Sequence, residues 1–301
     1  MGSALPRPHA GTQSGQVTYP LRRPGCFWPL IIPLFLSLGF ALWLFSNARA
    51  MPVVRRAEIM LPYPANAERR PVTVALITDS HLSGPDNSPK RMARIVQQVN
   101  GLKPDLILLG GDYIGDRKGG TTYGPAASIA PFAALRAPMG VLAVLGNHDA
   151  RRHARIGRNQ WRQLFDRIGI QLLMDEAVRR GPLVIGGLRD IYTGRPDIPG
   201  TLQAMEALGG APILLSHGPD VFPALPDRRL LALVGHTHCG QVAFPFAGIV
   251  YVPSRYGTRY ACGTFREGEK SMIVSAGVGT SGLPIRMLSP PDVWLVTIRP
   301  E

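Results

Sequence analysis

Two histidines one residue apart, His236 and His238, lie just beyond the apolar run Leu230-Leu231-Ala232-Leu233-Val234. Where a strand ends, two histidines separated by one residue can point their imidazoles to different sides. The pair therefore suits two adjacent metal ions, with one histidine on each. A surface loop with two histidines would look the same in isolation, so the upstream residues decide. Four more apolar runs are each followed by metal-capable groups: Thr78-Asp79-Ser80-His81, Gly110-Gly111-Asp112, Gly146-Asn147-His148-Asp149 and Ser216-His217. Five of the seven histidines fall in these blocks.

The donor types define the chemistry. Carboxylate, amide and imidazole groups without cysteine suit Mn²⁺, Fe or Zn²⁺ better than a thiolate-bound structural zinc. Asp79, His81, Asp112, Asn147, His217, His236 and His238 are too many for one tetrahedral ion. They suit two ions ~3.5–4 Å apart that share a carboxylate. Cys239 adjoins the last donor, but soft thiolate does not fit this nitrogen and oxygen set, and small-residue packing is expected of it. Three cysteines, Cys26, Cys239 and Cys262, make no disulfide framework.

The elements that must position these groups alternate after Pro71. Strands are expected at 72–78, 106–109, 141–145, 183–185, 213–215 and 230–234. Helices are expected at 88–100, where Met92, Ile95, Val96 and Val99 share one face, and at 125–135, 161–168 and 202–208. Past Gln241 strands dominate, at 242–244, 249–252, 272–275 and 293–298. This alternation predicts an α/β sheet with helices outside. Ligands of such sheets bind beyond the carboxyl ends of the strands, where all five blocks lie.

Taken in order, the blocks D-x-H, G-D, G-N-H-D, H and G-H-x-H resemble the calcineurin-like metallophosphoesterase superfamily. The resemblance runs from about Val72 to the C-terminus. It implies a four-layer α/β/β/α sandwich with a dinuclear site. Asp79, His81 and His238 would hold one metal, Asn147, His217 and His236 the second, and Asp112 would bridge them. His148 would protonate the leaving group, with Asp149 orienting it. Two divalent ions, manganese favoured over iron or zinc, would bind phosphate oxygens and lower the pKa of a bridging water. Leu215-Ser216-His217-Gly218-Pro219-Asp220, His236-Thr237-His238-Cys239-Gly240-Gln241 and the tail from Ala276 to Arg286 are similar to a membrane-anchored bacterial branch. That branch includes proteins similar to UDP-2,3-diacylglucosamine pyrophosphatase, which implies a phosphodiester or nucleotide-lipid substrate.

The N-terminal third fits an anchored enzyme. Residues 1–25 read as a disordered basic tail. No charge occurs from Cys26 to Ser46, a span close to the ~20 residues of a transmembrane helix. A signal peptide would place its cleavage after Ala48-Arg49-Ala50, but the apolar run is long for one. A single-pass anchor in a bacterial inner membrane is expected, then a linker at 47–70 with an early strand near Ile59, then the catalytic domain at 71–301. Arg49, Arg55 and Arg56 outnumber Arg22 and Arg23, which favours a cytoplasmic domain. The net charge is +13, but much of it precedes the domain, so a membrane surface and not nucleic acid is the expected partner. A monomer is expected. Arg151, Arg152 and Arg155, just after Asp149, are candidates to hold an anionic substrate at the rim. Tyr251, Tyr256 and Tyr260, with Arg255 and Arg259, have two readings, a pocket wall and ordinary β packing, of which the second is expected.

Overall fold

The computed structural model describes residues 1–2, 28–115, 117, 119–150 and 156–301. The chain divides into two units, Met1–Phe40 and Ala41–Glu301. The first contains most of helix α1 (Trp28–Arg49), whose segment Ile31–Arg49 is long and apolar enough to cross a membrane. The helix runs three residues beyond the expected end at Ser46.

The second unit is built on two six-stranded sheets. Its elements in order are β1 (Val53–Leu61), β2 (Val72–Ile77), α2 (Pro89–Gly101), β3 (Leu106–Leu109), α3 (Pro125–Ile129), β4 (Val141–Ala143), α4 (Asn147–Ala150), α5 (Arg158–Arg167), β5 (Gln171–Leu172), β6 (Glu176–Arg180), β7 (Leu183–Gly187), α6 (Ile198–Leu208), β8 (Ala211–Leu215), β9 (Leu230–Val234), β10 (Ala243–Phe244), β11 (Gly248–Ile249), β12 (Gly263–Glu267), β13 (Lys270–Val274) and β14 (Asp292–Pro300). The first sheet runs β1-β14-β2-β3-β4-β5, parallel except where β14 meets β2. The second runs β12-β13-β9-β8-β7-β6, with antiparallel pairs at its two edges.

Period-two alternation sorts the strand residues into three cores. Val72, Val74 and Leu76 of β2 face Ile213, Leu215, Leu231 and Leu233 of the second sheet. Ala75 and Ile77 turn the other way, onto Met92, Ile95, Val96 and Val99 of α2. In the second sheet, Val184, Leu214 and Ala232 turn outward onto Met205 of α6. The layers are therefore α/β/β/α, as the motif order implied. Both faces of the central strands are covered, so they read as unbroken apolar runs. Each fully buried Leu or Ile contributes about 2 kcal/mol relative to exposure. Helix α2 starts where Ser88 caps it, its hydroxyl accepting from the Arg91 amide at 3.3 Å, with Pro89 in the first turn.

The early strand expected near Ile59, within residues 47–70, is a nine-residue edge strand over residues 53–61, parallel to β14. Their charges suggested a linker, but on an edge strand those charges find partners. Arg55 reaches Asp292 at 2.7 Å, and Glu58 pairs with Arg299. The compact fold thus begins before Val72.

Candidate metal centre

Five parallel strands deliver the polar blocks to one place. β2, β3 and β4 of the first sheet end at Asp79-Ser80-His81, Asp112 and Asn147-His148, and β8 and β9 of the second end at His217 and His236-Thr237-His238. Asp79, His81, Asp112, His236 and His238 all adopt the left-handed backbone conformation, with φ between 40° and 71°. That conformation costs a non-glycine residue on the order of 1 kcal/mol or more. Five such residues in one centre are held there by the surrounding fold. Gly235 makes room for them: a Cβ at that position would collide with the Asp79 carboxylate. A Cβ at Gly146 would collide with Asp112 in the same way.

The donor atoms form two groups joined by Asp112. In the first, His81 Nε2 lies 3.2 Å from His238 Nε2, and the two nitrogens stand 3.9 and 3.6 Å from Asp79 Oδ1. In the second, His217 Nε2 lies 3.1 Å from His236 Nδ1 and 3.1 Å from Asn147 Oδ1. Asp112 Oδ2 stands 3.4 Å from His81 Nε2 and 3.2 Å from His217 Nε2. His238 thus lies beside Asp79 and His81, and His236 beside His217 and Asn147.

The ring protons test whether cations fit. His81 Nδ1 faces the Ile114 carbonyl at 3.3 Å, His217 Nδ1 faces that of Gly110 at 2.9 Å, and His236 Nε2 faces that of Pro253 at 2.9 Å. A carbonyl accepts, so each of these nitrogens donates and carries the ring proton. In the neutral rings the opposite nitrogens then present lone pairs. In the second group His236 Nδ1 presents its lone pair to His217 Nε2, where Asp112 favours a second proton against the cost of burial; a metal ion at that point would take the place of that proton. Backbone carbonyls fix the tautomer in the manner usual for metal-binding imidazoles. The residues fit a dinuclear metal site.

Electrostatics agree. Burial pushes Asp79 up to about 6, aided by the charge of Asp112. Burial also disfavours the charged form of Asp112, but His217 and His81 outweigh it and hold that carboxyl well below its ordinary range. Burial drives His236 down to about 3 and His238 well below the usual imidazole range, so both stay neutral, as metal ligation requires.

Asp149 acts through the backbone. Its Oδ2 accepts from the amides of Asp112 at 2.7 Å and Gly146 at 3.0 Å, and its Oδ1 from those of Tyr113 at 2.9 Å and Ile114 at 3.2 Å. It clamps the Asp112 loop to the turn that carries His148. Burial, reinforced by Asp112, raises the Asp149 carboxyl to about 7. His148 donates its amide to Asp112 Oδ1 at 2.8 Å and sets its ring edge-on to His81, 4.7 Å between centroids. It is partly exposed at the wall of a cavity of about 470 Å³. The cavity is also lined by Asp112, Asn147, His236 and His238 and by Tyr251, Leu283 and Ile285.

Four features were not foreseen. Tyr192 stacks on the His236 ring with centroids 3.8 Å apart, and nothing in its local sequence marks it. Arg286 is fully buried and donates to the carbonyls of Ala276, Gly279 and Ser289 at 2.7–2.9 Å, reaching His238 O at 3.4 Å. Gly277-Val278-Gly279 braces the first group: Gly279 N donates to Asp79 O at 2.8 Å. Cys239, expected to be simple packing, forms a disulfide with Cys262. Folding brings two cysteines 23 residues apart together, which an odd count of three conceals. Tyr251 lines the cavity, contrary to expectation, whereas Tyr260 is buried among Phe222 and Phe265 as β packing. Arg151, Arg152 and Arg155 lie outside the described residues.

The family model described as calcineurin-like phosphoesterase matches residues 72–240, from the first residue of β2 to just past His238. The chain belongs to the calcineurin-like phosphoesterase family. It is 32% identical over 235 residues to the uncharacterized metallophosphoesterase YkuE of Bacillus subtilis (strain 168), covering 75% of this chain and 78% of that protein. It is 32% identical over 247 residues to an uncharacterized metallophosphoesterase of Aquifex aeolicus (strain VF5), covering 79% and 90%. A protein of Danio rerio named transmembrane protein with metallophosphoesterase domain is 26% identical over 295 residues, covering 91% and 64%. As a calcineurin-like phosphoesterase the chain is a metal-dependent phosphoester hydrolase with a two-metal centre.

Proposed function

We propose that this hydrolase cleaves a phosphodiester or pyrophosphate bond in a membrane-derived amphiphile, acting as a monomer held by α1. The supporting observation is the mixed lining of the cavity, in which metal donors and His148 share one space with Tyr251, Leu283 and Ile285. A phosphate would sit against the donors and an apolar substituent against the apolar side chains. Two divalent ions, with manganese the choice for an oxygen and nitrogen donor set, would supply Lewis-acid stabilisation of the phosphate and activate water. Asp79, His81 and His238 would hold one ion, and Asn147, His217 and His236 the other, with Asp112 between. His148, partly exposed beside Asp112, would give a proton to the departing oxygen. Asp149 would keep that ring in place by fixing both backbone segments around it. UDP-2,3-diacylglucosamine, a nucleotide-lipid with a pyrophosphate, has the required chemistry and is the substrate to try first.

The Cys239–Cys262 disulfide bears on topology. Arginine counts favour a cytoplasmic domain by a small margin, but disulfides persist on the oxidising side of a membrane. We place the domain there.

The test is hydrolysis by the full chain in detergent with Mn²⁺, on bis-p-nitrophenyl phosphate, UDP-2,3-diacylglucosamine and single-stranded DNA, each with and without chelator. Chelator-sensitive turnover of the nucleotide-lipid is expected. Turnover of DNA alone would replace this reading with a nuclease, for which the +13 charge is the argument.

A further inference from the structure

The cavity opens beside a surface that is apolar without being covered. Residues 242–251, Val-Ala-Phe-Pro-Phe-Ala-Gly-Ile-Val-Tyr, carry no charge. They form the short hairpin of β10 and β11, pairing Ala243 with Ile249 and Phe244 with Gly248. Phe246 at its tip is fully exposed, Tyr251 is 74% exposed, and Phe244 and Val250 are also exposed. The segment from Ser281 to Ser289 has one charge, Arg286, and that guanidinium is turned inward. Its Leu283 and Leu288 are exposed as well. A soluble surface rarely keeps that many large apolar side chains together unless something binds them.

The hairpin, the second segment and the end of α1 form one backbone-bonded unit. Ala243 N donates to Met287 O at 2.8 Å, and Met287 N to Gln241 O at 3.1 Å. One residue earlier, Arg286 N donates to Leu44 O at 3.1 Å, and Asn47 Nδ2 donates to Arg286 O at 3.3 Å. Leu44 lies within the charge-free run and five residues before the end of α1, about 7 Å along its axis. Leu44 and Asn47 belong to the same compact unit as the hairpin, so a bilayer entered by the charge-free run that precedes them would begin close to these two segments. Both segments lie beyond the residues 72–240 that the family model matches.

We infer that the β10–β11 hairpin, with Leu283 and Leu288, is a membrane-docking surface that inserts Phe244 and Phe246 into the phospholipid interface and turns the mouth of the metal cavity to the bilayer. Aromatic and aliphatic side chains without charge are the ones that interfacial depth favours. The inference rests on α1 lying in a membrane, as in the preceding section, but not on the identity of the substrate.

The experiment uses the full chain in phosphatidylcholine nanodiscs. Phe246→Trp introduces an emission that brominated phosphatidylcholine quenches only on contact. Leu208→Trp, at an exposed apolar position on α6, is the control, and the unsubstituted chain gives the background of Trp28, Trp43, Trp161 and Trp294. The added Phe246→Trp emission should be blue-shifted and quenched by about twofold or more, and that of Leu208→Trp unchanged. Phe244→Asp with Phe246→Asp should slow turnover of a disc-embedded substrate about tenfold and leave bis-p-nitrophenyl phosphate turnover unchanged. Equal quenching at both positions, or none at either, overturns the inference. So does finding two chains per disc that separate on Phe244→Asp with Phe246→Asp, which would assign the surface to a second copy. If Phe246→Trp is quenched but the parent hydrolyses no lipid, the docking surface stands and the amphiphile reading falls.

Discussion

His236 and His238, two residues apart, offer different ring nitrogens to the centre. His238 points Nε2 at His81 Nε2, 3.2 Å away, whereas His236 points Nδ1 at His217 Nε2, 3.1 Å away, because its own Nε2 donates to the Pro253 carbonyl. Each therefore serves a separate donor group, so their loss should be separable. By metal analysis, His238→Ala and His236→Ala should each retain one equivalent of the parent's two, and Asp112→Ala should retain neither. Phosphodiester turnover should fall on the order of 10²-fold or more in all three. Two equivalents lost together in His236→Ala would refute the division.

Gly235 is needed for space. Its Cα lies against the Asp79 carboxylate, and the His236 amide donates to both Asp79 oxygens at 3.0–3.1 Å. Gly235→Ala should push that carboxylate out of line and weaken metal binding in the first group by about 10–100-fold. Circular dichroism should remain that of the parent. An unchanged metal titration would show that Asp79 tolerates the shift.

Tyr192 should separate ring packing from hydroxyl chemistry. The stack on His236 needs only the aromatic face. Tyr192→Phe should therefore keep parent metal affinity, while Tyr192→Ala should lose about tenfold in the His217 and His236 group alone. A similar loss in both variants would move the role to the hydroxyl.

The parts legible in sequence were those with a strong local signal. Buried strands such as Leu106–Leu109 are apolar throughout, and each polar block follows such a run, so both the layers and the metal ligands could be read. Edge strands could not. Glu176–Arg180 and Gly263–Glu267 mix charged and apolar residues without an unbroken apolar run, and in Val53–Leu61 the charges of Arg55, Arg56 and Glu58 left only a short strand near Ile59 legible. Tyr192 and Arg286 were invisible for a different reason. Each acts through partners 44 and 48 positions away, at His236 and His238 respectively, and no local period records such contacts.

Asp292 gives a pH dependence away from the metal centre. Burial raises its carboxyl above the ordinary range, although Ser275, Arg55 and the Ala276 amide all bond it. A folded-state pKa above the unfolded one means that the native state binds more protons. Stability from this group is therefore full below the unfolded value near 4 and is lost as pH rises through the folded value. Asp292→Asn removes that dependence. Urea midpoints of the parent minus those of the variant should be larger at pH 4 than at pH 7, and the reverse order would contradict the sign.

The Cys239–Cys262 bond joins the residue after His238 to the segment before β12, closing a loop with a sequence separation of 23. Constraining the unfolded chain to that loop stabilises the fold by about 3 kcal/mol. Reduction should lower the denaturation midpoint accordingly. Thr237, two residues before Cys239, already ties this turn to the loop by donating its hydroxyl to Ala261 O at 2.7 Å, so the metal group should survive reduction with its stoichiometry intact. The bond also reports topology. In cells producing a Cys26→Ala chain, an impermeant thiol reagent should label Cys239 and Cys262 only after reductant is added. Labelling by a permeant reagent without reductant would instead put the domain on the reducing side, where arginine counting had placed it.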